Sequence, residues 1–248
     1  MKNAWLPIRS AALWTASGIH FFLVGSILFC LGMIVDPRKN DWPQRWFFRN
    51  ILRIAGVKFE VRRSPGFDPH RTTLFICNHV NIFDPFVIYS AIPQFVRGME
   101  LESHFKVPVY GWIMGRFGGN IPVPEAPSRE ALQKMNRLTK AAFDQGISLI
   151  AFAEGSRTRD GRVQEFKKGV FKLAQKFGVP IVPMSIVGSY EFFRTGHWML
   201  HPGKVTVILH DTIDTAEIGR SHVDELRKRV HEIVSKPIEE SLKKRPAS

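Results

Sequence analysis

Residues 10–35 contain no Asp, Glu, Lys or Arg. Within them the stretch 19–35, IHFFLVGSILFCLGMIV, is dense in large apolar side chains. It is long enough to cross a bilayer or to lie deep in one leaflet. This run limits the fold more than any other part of the 248 residues. A helix of this kind must find lipid or bury itself against the rest of the chain. It is long for the apolar region of a signal peptide, and no small-residue cleavage pattern follows Val35, so removal is not expected. A buried core helix is the competing reading. Thr15, Ser17, His20 and Ser26 soften the run and fit a half-inserted helix.

After a break at residues 36–40, the pattern of residues 42–54 predicts an amphipathic helix. Arg45, Arg49 and Arg53 recur every four residues on one face, and Trp42, Trp46, Phe47, Phe48, Ile51 and Leu52 fill much of the remainder. That mixture suits a helix at headgroup depth. The same pattern also suits a helix packed on a domain. Lys2 and Arg9 precede the apolar run and Arg38 and Lys39 follow it, so flanking charge does not orient it. We therefore expect a membrane-anchoring helical segment over 1–55 and a catalytic domain over 56–248. The net charge of +13 calls for an anionic partner: a lipid surface, a phosphorylated substrate or nucleic acid. Two cysteines, Cys30 and Cys77, make no disulfide framework, and no cluster has zinc-site spacing.

Beyond Gly56 the texture becomes that of an α/β domain. Strands are expected at residues 57–61, 72–77, 95–98, 119–123, 148–152, 179–187 and 205–209. Helices are expected from Asp84, over 110–117, from a Ser128 cap to Gln145, over 167–177, and after a Ser221 cap. The alternation implies a largely parallel sheet covered by helices on both faces.

Two turns carry the chemistry. Asn78-His79-Val80-Asn81-Ile82-Phe83-Asp84 follows the buried strand TTLFIC, and Asp84-Pro85 reads as the start of a helix with Asp as its N-cap. His79 thus falls where a strand ends, at the edge where open α/β sheets build their sites. A carboxylate five residues on can fix the imidazole tautomer and leave its other nitrogen free to take a proton. Glu154-Gly155-Ser156-Arg157 follows the strand at 148–152 and shares that edge. Glycine permits close approach of backbone to a ligand, and an arginine can fork onto a phosphate. Arg159, Arg162, Lys167 and Lys168 add positive charge nearby.

Together these residues resemble the PlsC-type glycerolipid acyltransferases, which convert lysophosphatidic acid to phosphatidic acid. The first block of that family is matched by Asn78, His79 and Asp84. The third stands here as FAEGSRT followed by Phe166-Lys167-Lys168-Gly169, and the fourth as Val179-Pro180-Ile181-Val182-Pro183. Order and spacing agree over residues 56–209. Ala153 and Ser156 replace the usual Pro and Thr. The second block, at residues 118–123, lacks its usual arginine, leaving Lys106 or Arg116 to supply the cation.

The resemblance implies the glycerolipid acyltransferase fold, attached to the cytoplasmic face of the inner membrane. It implies transfer from acyl-CoA or acyl-carrier protein, as co-substrate, to a membrane lipid acceptor, with no further cofactor, no metal and no nucleic acid. His79 is the expected base and Asp84 its orienting partner. Asn78, Lys106, Glu154, Gly155, Ser156 and Arg157 are the expected substrate-binding residues. Three rivals stand beside this reading: a metal-dependent hydrolase using His79, Asp84 and Glu154, a nucleic-acid-binding protein drawn from the net charge of +13, and a membrane scaffold with a dead site. Another lysolipid, such as lyso-ornithine lipid, is an alternative acceptor.

Overall fold

The computed structural model describes residues 5–36, 38, 41–107, 111, 114, 115, 119–216 and 222–244. A seven-stranded sheet is flanked by helices. Its strands are β1 (Val57–Arg63), β2 (Leu74–Cys77), β3 (Val96–Leu101), β4 (Ile121–Val123), β5 (Ser148–Phe152), β6 (Ile181–Val187) and β7 (Gly203–Leu209). They lie in the order β1-β7-β6-β2-β5-β3-β4. The five from β6 to β4 run parallel, β7 turns antiparallel to β6, and β1 runs parallel to β7. The expected largely parallel sheet is therefore present, with one reversed edge.

Helix α1 spans Trp5–Gly32, α2 Trp42–Ile54, α3 Asp84–Ala91, α4 Arg129–Asp144, α5 Gly169–Phe177, a short α6 Ser189–Phe192 and α7 Val223–Lys243. Local chemistry accounts for several ends. The Ser128 hydroxyl accepts the N–H of Ala131 and caps α4, as its sequence predicts. Gly178, at φ 63°, closes α5 in the left-handed conformation that glycine adopts at little cost. The helix at 167–177 starts two residues later than expected. Most of the helix expected over 110–117, and the Ser221 cap, lie outside the described residues.

One core cluster covers each face of the sheet. α2 belongs to the first. Phe47, Ile51 and Leu52 are buried there with sheet residues Phe75, Val182 and Val205, each side chain contributing about 2 kcal/mol by burial. The arginines of α2 do not all face outward. Arg45 donates to the carbonyls of Ile92, to Pro93 at 2.8 Å and to Gln94 at 3.0 Å, and to Asp41 at 2.7 Å. Arg49 donates to Ser90 O at 3.3 Å. Arg45 thus closes the C-terminal end of α3, while Arg49 and Arg53 are exposed, the latter on Asn50.

By length and composition α1 could cross a membrane, with a mean hydropathy of 1.7 over its most apolar window. One side, through Leu13, Trp14, Phe21, Val24 and Leu28, packs against the first core. The opposite side leaves Trp5, Ile8, Ile19, Phe22, Leu23 and Ile27 exposed, joined by Trp42 and Trp46 of α2.

Candidate active site

β2 is the middle strand of the trio β6-β2-β5, and the turns leaving those three strands meet at their carboxyl ends. Asn78 extends the β2–β6 pairing by one residue with its side chain. Its Nδ2 donates to Ile186 O at 3.0 Å and its Oδ1 accepts the Ile186 N–H at 2.8 Å. This buried amide is a brace between strands, and the geometry does not present it to a substrate as the sequence suggested.

His79 and Asp84 meet as expected, with Nδ1 and Oδ2 2.8 Å apart. A carboxylate only accepts, so Nδ1 carries the proton and Nε2 is the free base. The ring lies against Phe152, centroid to centroid 3.8 Å and tilted 19°. Asp84 is fully buried. It is not the N-cap of α3. Phe83 occupies that position, and the carboxylate turns back to accept the N–H groups of Val80 at 2.5 Å and Asn81 at 2.9 Å. Its other oxygen accepts the Ser189 hydroxyl at 3.1 Å. Four donors outweigh one capping bond and compensate the burial of the charge.

Ser189 and Asn81 are the members of this network that sequence reasoning missed. Asn81 Nδ2 donates to the Ser189 hydroxyl and carbonyl and to Phe193 O, each at 2.9 Å, while its Oδ1 accepts the Phe83 N–H. The local half was visible in principle, since Asn two residues before an N–H that it can accept is an Asx turn. Ser189 opens α6, two residues beyond β6, and no local pattern points to it.

The third block is stapled to His79 itself. The His79 N–H donates to Glu154 Oε1 at 2.7 Å, and the Thr158 N–H donates to His79 O at 2.9 Å. Gly155, Ser156 and Arg157 are the arch between those two bonds. Gly155 stands at φ 72°, a left-handed conformation that strains any residue with a Cβ and that glycine adopts at little cost. The Ser156 hydroxyl donates to Gln164 at 3.2 Å. Arg157 is exposed and makes no ion pair among the described residues. Lys106 ends the 3₁₀ turn Glu102–Lys106 and is also exposed. Glu154 is buried, and its Oε2 accepts the Gln164 N–H at 2.9 Å. Burial pushes its pKa up to about 7; the two N–H donors oppose the shift and the charge of Asp84 adds to it. Cys77, one residue before Asn78, is buried, and burial with the charges of Asp84 and Glu154 holds its thiol well above its ordinary value, which leaves it inert as a nucleophile.

A family model described as Acyltransferase matches residues 58–187, just over half of the chain. The chain belongs to the acyltransferase family. Among curated relatives, the 1-acyl-sn-glycerol-3-phosphate acyltransferase of Haemophilus influenzae is 27% identical over 229 residues, covering 90% of this acyltransferase and 94% of the relative. The chloroplastic enzyme LPAT1 of Arabidopsis thaliana is 31% identical over 213 residues, covering 79% of this chain and 58% of that one. The crystal structure of the 1-acyl-sn-glycerophosphate (LPA) acyltransferase PlsC from Thermotoga maritima superposes over 100% of both chains with a TM-score of 0.78 at 23% identity, a likeness of fold. The PlsC-type resemblance rests on the fold as well as on the motifs, and the enzyme class is acyl transfer.

Proposed function

We propose that this O-acyltransferase moves a fatty acyl group from an acyl-CoA or acyl-carrier-protein thioester to the sn-2 hydroxyl of lysophosphatidic acid, giving phosphatidic acid. The observation that carries this reading is the 2.8 Å His79–Asp84 bond beside an exposed arginine arch fixed to the same histidine. The names of the relatives support the acceptor. His79 Nε2 takes the hydroxyl proton as the oxygen attacks the thioester carbonyl. The C–S bond breaks, and the leaving thiolate receives that proton to become a free thiol. Asp84 holds the ring and stabilises the imidazolium. Arg157, aided by Lys106, binds the acceptor phosphate and places its hydroxyl. Glu154 holds the arch on His79, Gly155 gives the arch its bend, and Ser156 steadies it through Gln164. No metal is required. The test is to offer purified enzyme a panel of lysolipids with each thioester donor and to follow thiol release. Faster turnover of a lysolipid without a phosphomonoester would refute the acceptor assignment.

The reading includes attachment to the cytoplasmic leaflet of the inner membrane, with α1 lying in one leaflet. A spanning helix is surrounded by lipid over about 20 residues. Here Leu13 to Leu28 are packed along one side on the domain, and the apolar side chains opposite face outward. Deleting 1–55 would strip Phe47, Ile51 and Leu52 from the core, so the sharper variant is Phe22→Gln with Leu23→Gln and Ile27→Gln. It is expected to float poorly with vesicles while keeping its melting temperature and its turnover of a short-chain soluble acceptor. Undiminished flotation would reject the one-leaflet reading.

A further inference from the structure

With Arg45 bound to carbonyls, α2 keeps Arg49 and Arg53 as its exposed cations. A second group of basic side chains lies on residues 194–201, which lead from α6 to β7. Arg194, His197 and His201 stand there with Arg9 of α1. Arg9 Nη1 donates to Leu200 O at 2.8 Å, Ser10 Oγ accepts the Leu200 N–H at 3.0 Å, and Trp14 Nε1 donates to Trp198 O at 2.7 Å. The first turns of α1 and this loop are therefore one unit. Arg194, His197 and Arg9 are close enough to His201 to reinforce the lowering of its pKa that burial begins. Among the described residues none of the four makes an ion pair. Trp198 projects from the loop, and Trp5 and Ile8 are exposed on the adjoining turns of α1.

The loop also reaches the site. Thr195 Oγ1 donates to Val80 O at 2.7 Å, inside the His79–Asp84 turn. The Arg194 guanidinium lies 5.5 Å from the Tyr190 ring, whose hydroxyl donates to Arg159 O at 2.9 Å. Solvated surface cations are ordinarily interspersed with acids. Residues 194–201 hold no acid, and an exposed Arg194 with a projecting tryptophan matches the chemistry of an anionic headgroup layer, where Trp sits at interfacial depth and Arg meets phosphate.

We propose that residues 194–201, with Arg9 and Trp5, form a second membrane contact that binds anionic phospholipid headgroups and sets the edge bearing His79 against the bilayer. This contact adjoins the N-terminal end of the apolar face of α1, which shares Trp5 with it, and rests on the membrane reading above.

The test uses full-length Arg194→Gln, Arg194→Glu and the triple variant Arg194→Gln, His197→Gln, His201→Gln. Each is floated with phosphatidylcholine vesicles and with vesicles that also contain phosphatidylglycerol, at low salt. Losing one arginine charge is expected to weaken partitioning to the anionic vesicles about fivefold, and reversing it to weaken it further. Partitioning to pure phosphatidylcholine, melting temperature and turnover of a short-chain soluble acceptor are expected to stay at wild-type values. If Arg194→Glu and Arg194→Gln both float with anionic vesicles as well as wild type, the contact is refuted and the membrane reading stands. If wild type floats with neither vesicle, both fall. A raised KM for the soluble acceptor in Arg194→Gln would place Arg194 in the acceptor pocket and overturn the headgroup assignment.

Discussion

The two halves of the site are built in opposite ways. Around Asp84 every oxygen has a donor, the carboxylate is fully buried, and the imidazole is clamped between it and Phe152. Around Arg157 the backbone is fixed at both ends, yet the side chains of Arg157 and Lys106 are exposed. The difference separates what must be ready before substrate arrives from what substrate itself completes. A base needs its tautomer and direction set in advance. A cation that will meet a phosphate avoids the cost of burial until the anion is there to pair with it.

The strongest way to break that comparison is to remove the prepared half. His79→Ala is expected to lower kcat by about 10²–10⁴-fold. Asp84→Asn should lose most of the same rate through the wrong tautomer, and the double variant should lose little more than His79→Ala alone. Folded His79→Ala protein with near-normal turnover would remove the base assignment.

The exposed half should respond differently. Arg157→Ala is expected to cost about tenfold to a hundredfold in kcat/KM for a phosphate-bearing acceptor, the worth of a charge-assisted bond. The KM for the thioester should hold, and Arg157→Lys should recover only part of the loss because the fork is gone. Unchanged acceptor kinetics in both variants would reduce Arg157 to a surface charge.

Glu154 joins the halves and can be followed by pH. Its folded pKa of about 7 lies above the ordinary value of 4.5, so the folded chain holds the proton more tightly than the unfolded chain does. Stability from this group is full below about pH 4.5 and falls as pH rises toward 7, by on the order of 3 kcal/mol, then levels. Denaturant titrations between those pH values should show a flatter slope in Glu154→Gln. An unchanged slope would mean that Glu154 is ionised throughout.

The smallest effect tests how finely the prepared half is tuned. Ser189→Ala removes one of four donors from Asp84 and leaves Asn81 a partner short. About 1–3 kcal/mol of stability should go, with a several-fold loss of rate and a displaced pH–rate profile. Ser189→Thr should restore the profile. A lower melting point with the profile unmoved would make Ser189 structural only.

The core strands were legible because β2, β5 and β6 are short apolar runs bounded by turn residues. The reversal at β7 was not, because periodicity does not encode strand direction. The spacing of His79 and Asp84 is a weak signal alone, and they could be paired because the Glu154-Gly155-Ser156-Arg157 block follows downstream. The role of Asp84 at the helix start could not, since Asp-Pro is a sound capping signal and only the fold supplies the donors that turn the carboxylate inward. Arg45 misled for a related reason. An amphipathic pattern looks the same whether its charged edge meets phosphates or the carbonyls of Ile92, Pro93 and Gln94. Ser189 required the tertiary structure altogether.

The stacking of Phe152 on His79 has a kinetic consequence. With one ring face covered and Nδ1 committed to Asp84, the imidazole offers a single atom, Nε2, to everything that reacts. Phe152 screens one side of the ring from water, and Nε2 is the one nitrogen left to carry a proton to or from a substrate. In the direct transfer proposed above, that nitrogen takes the acceptor proton and passes it to the departing thiolate while both substrates are bound. Double-reciprocal plots at several fixed donor concentrations should therefore intersect, the pattern of a ternary complex, and should not run parallel as they do when an acylated enzyme outlives its first product.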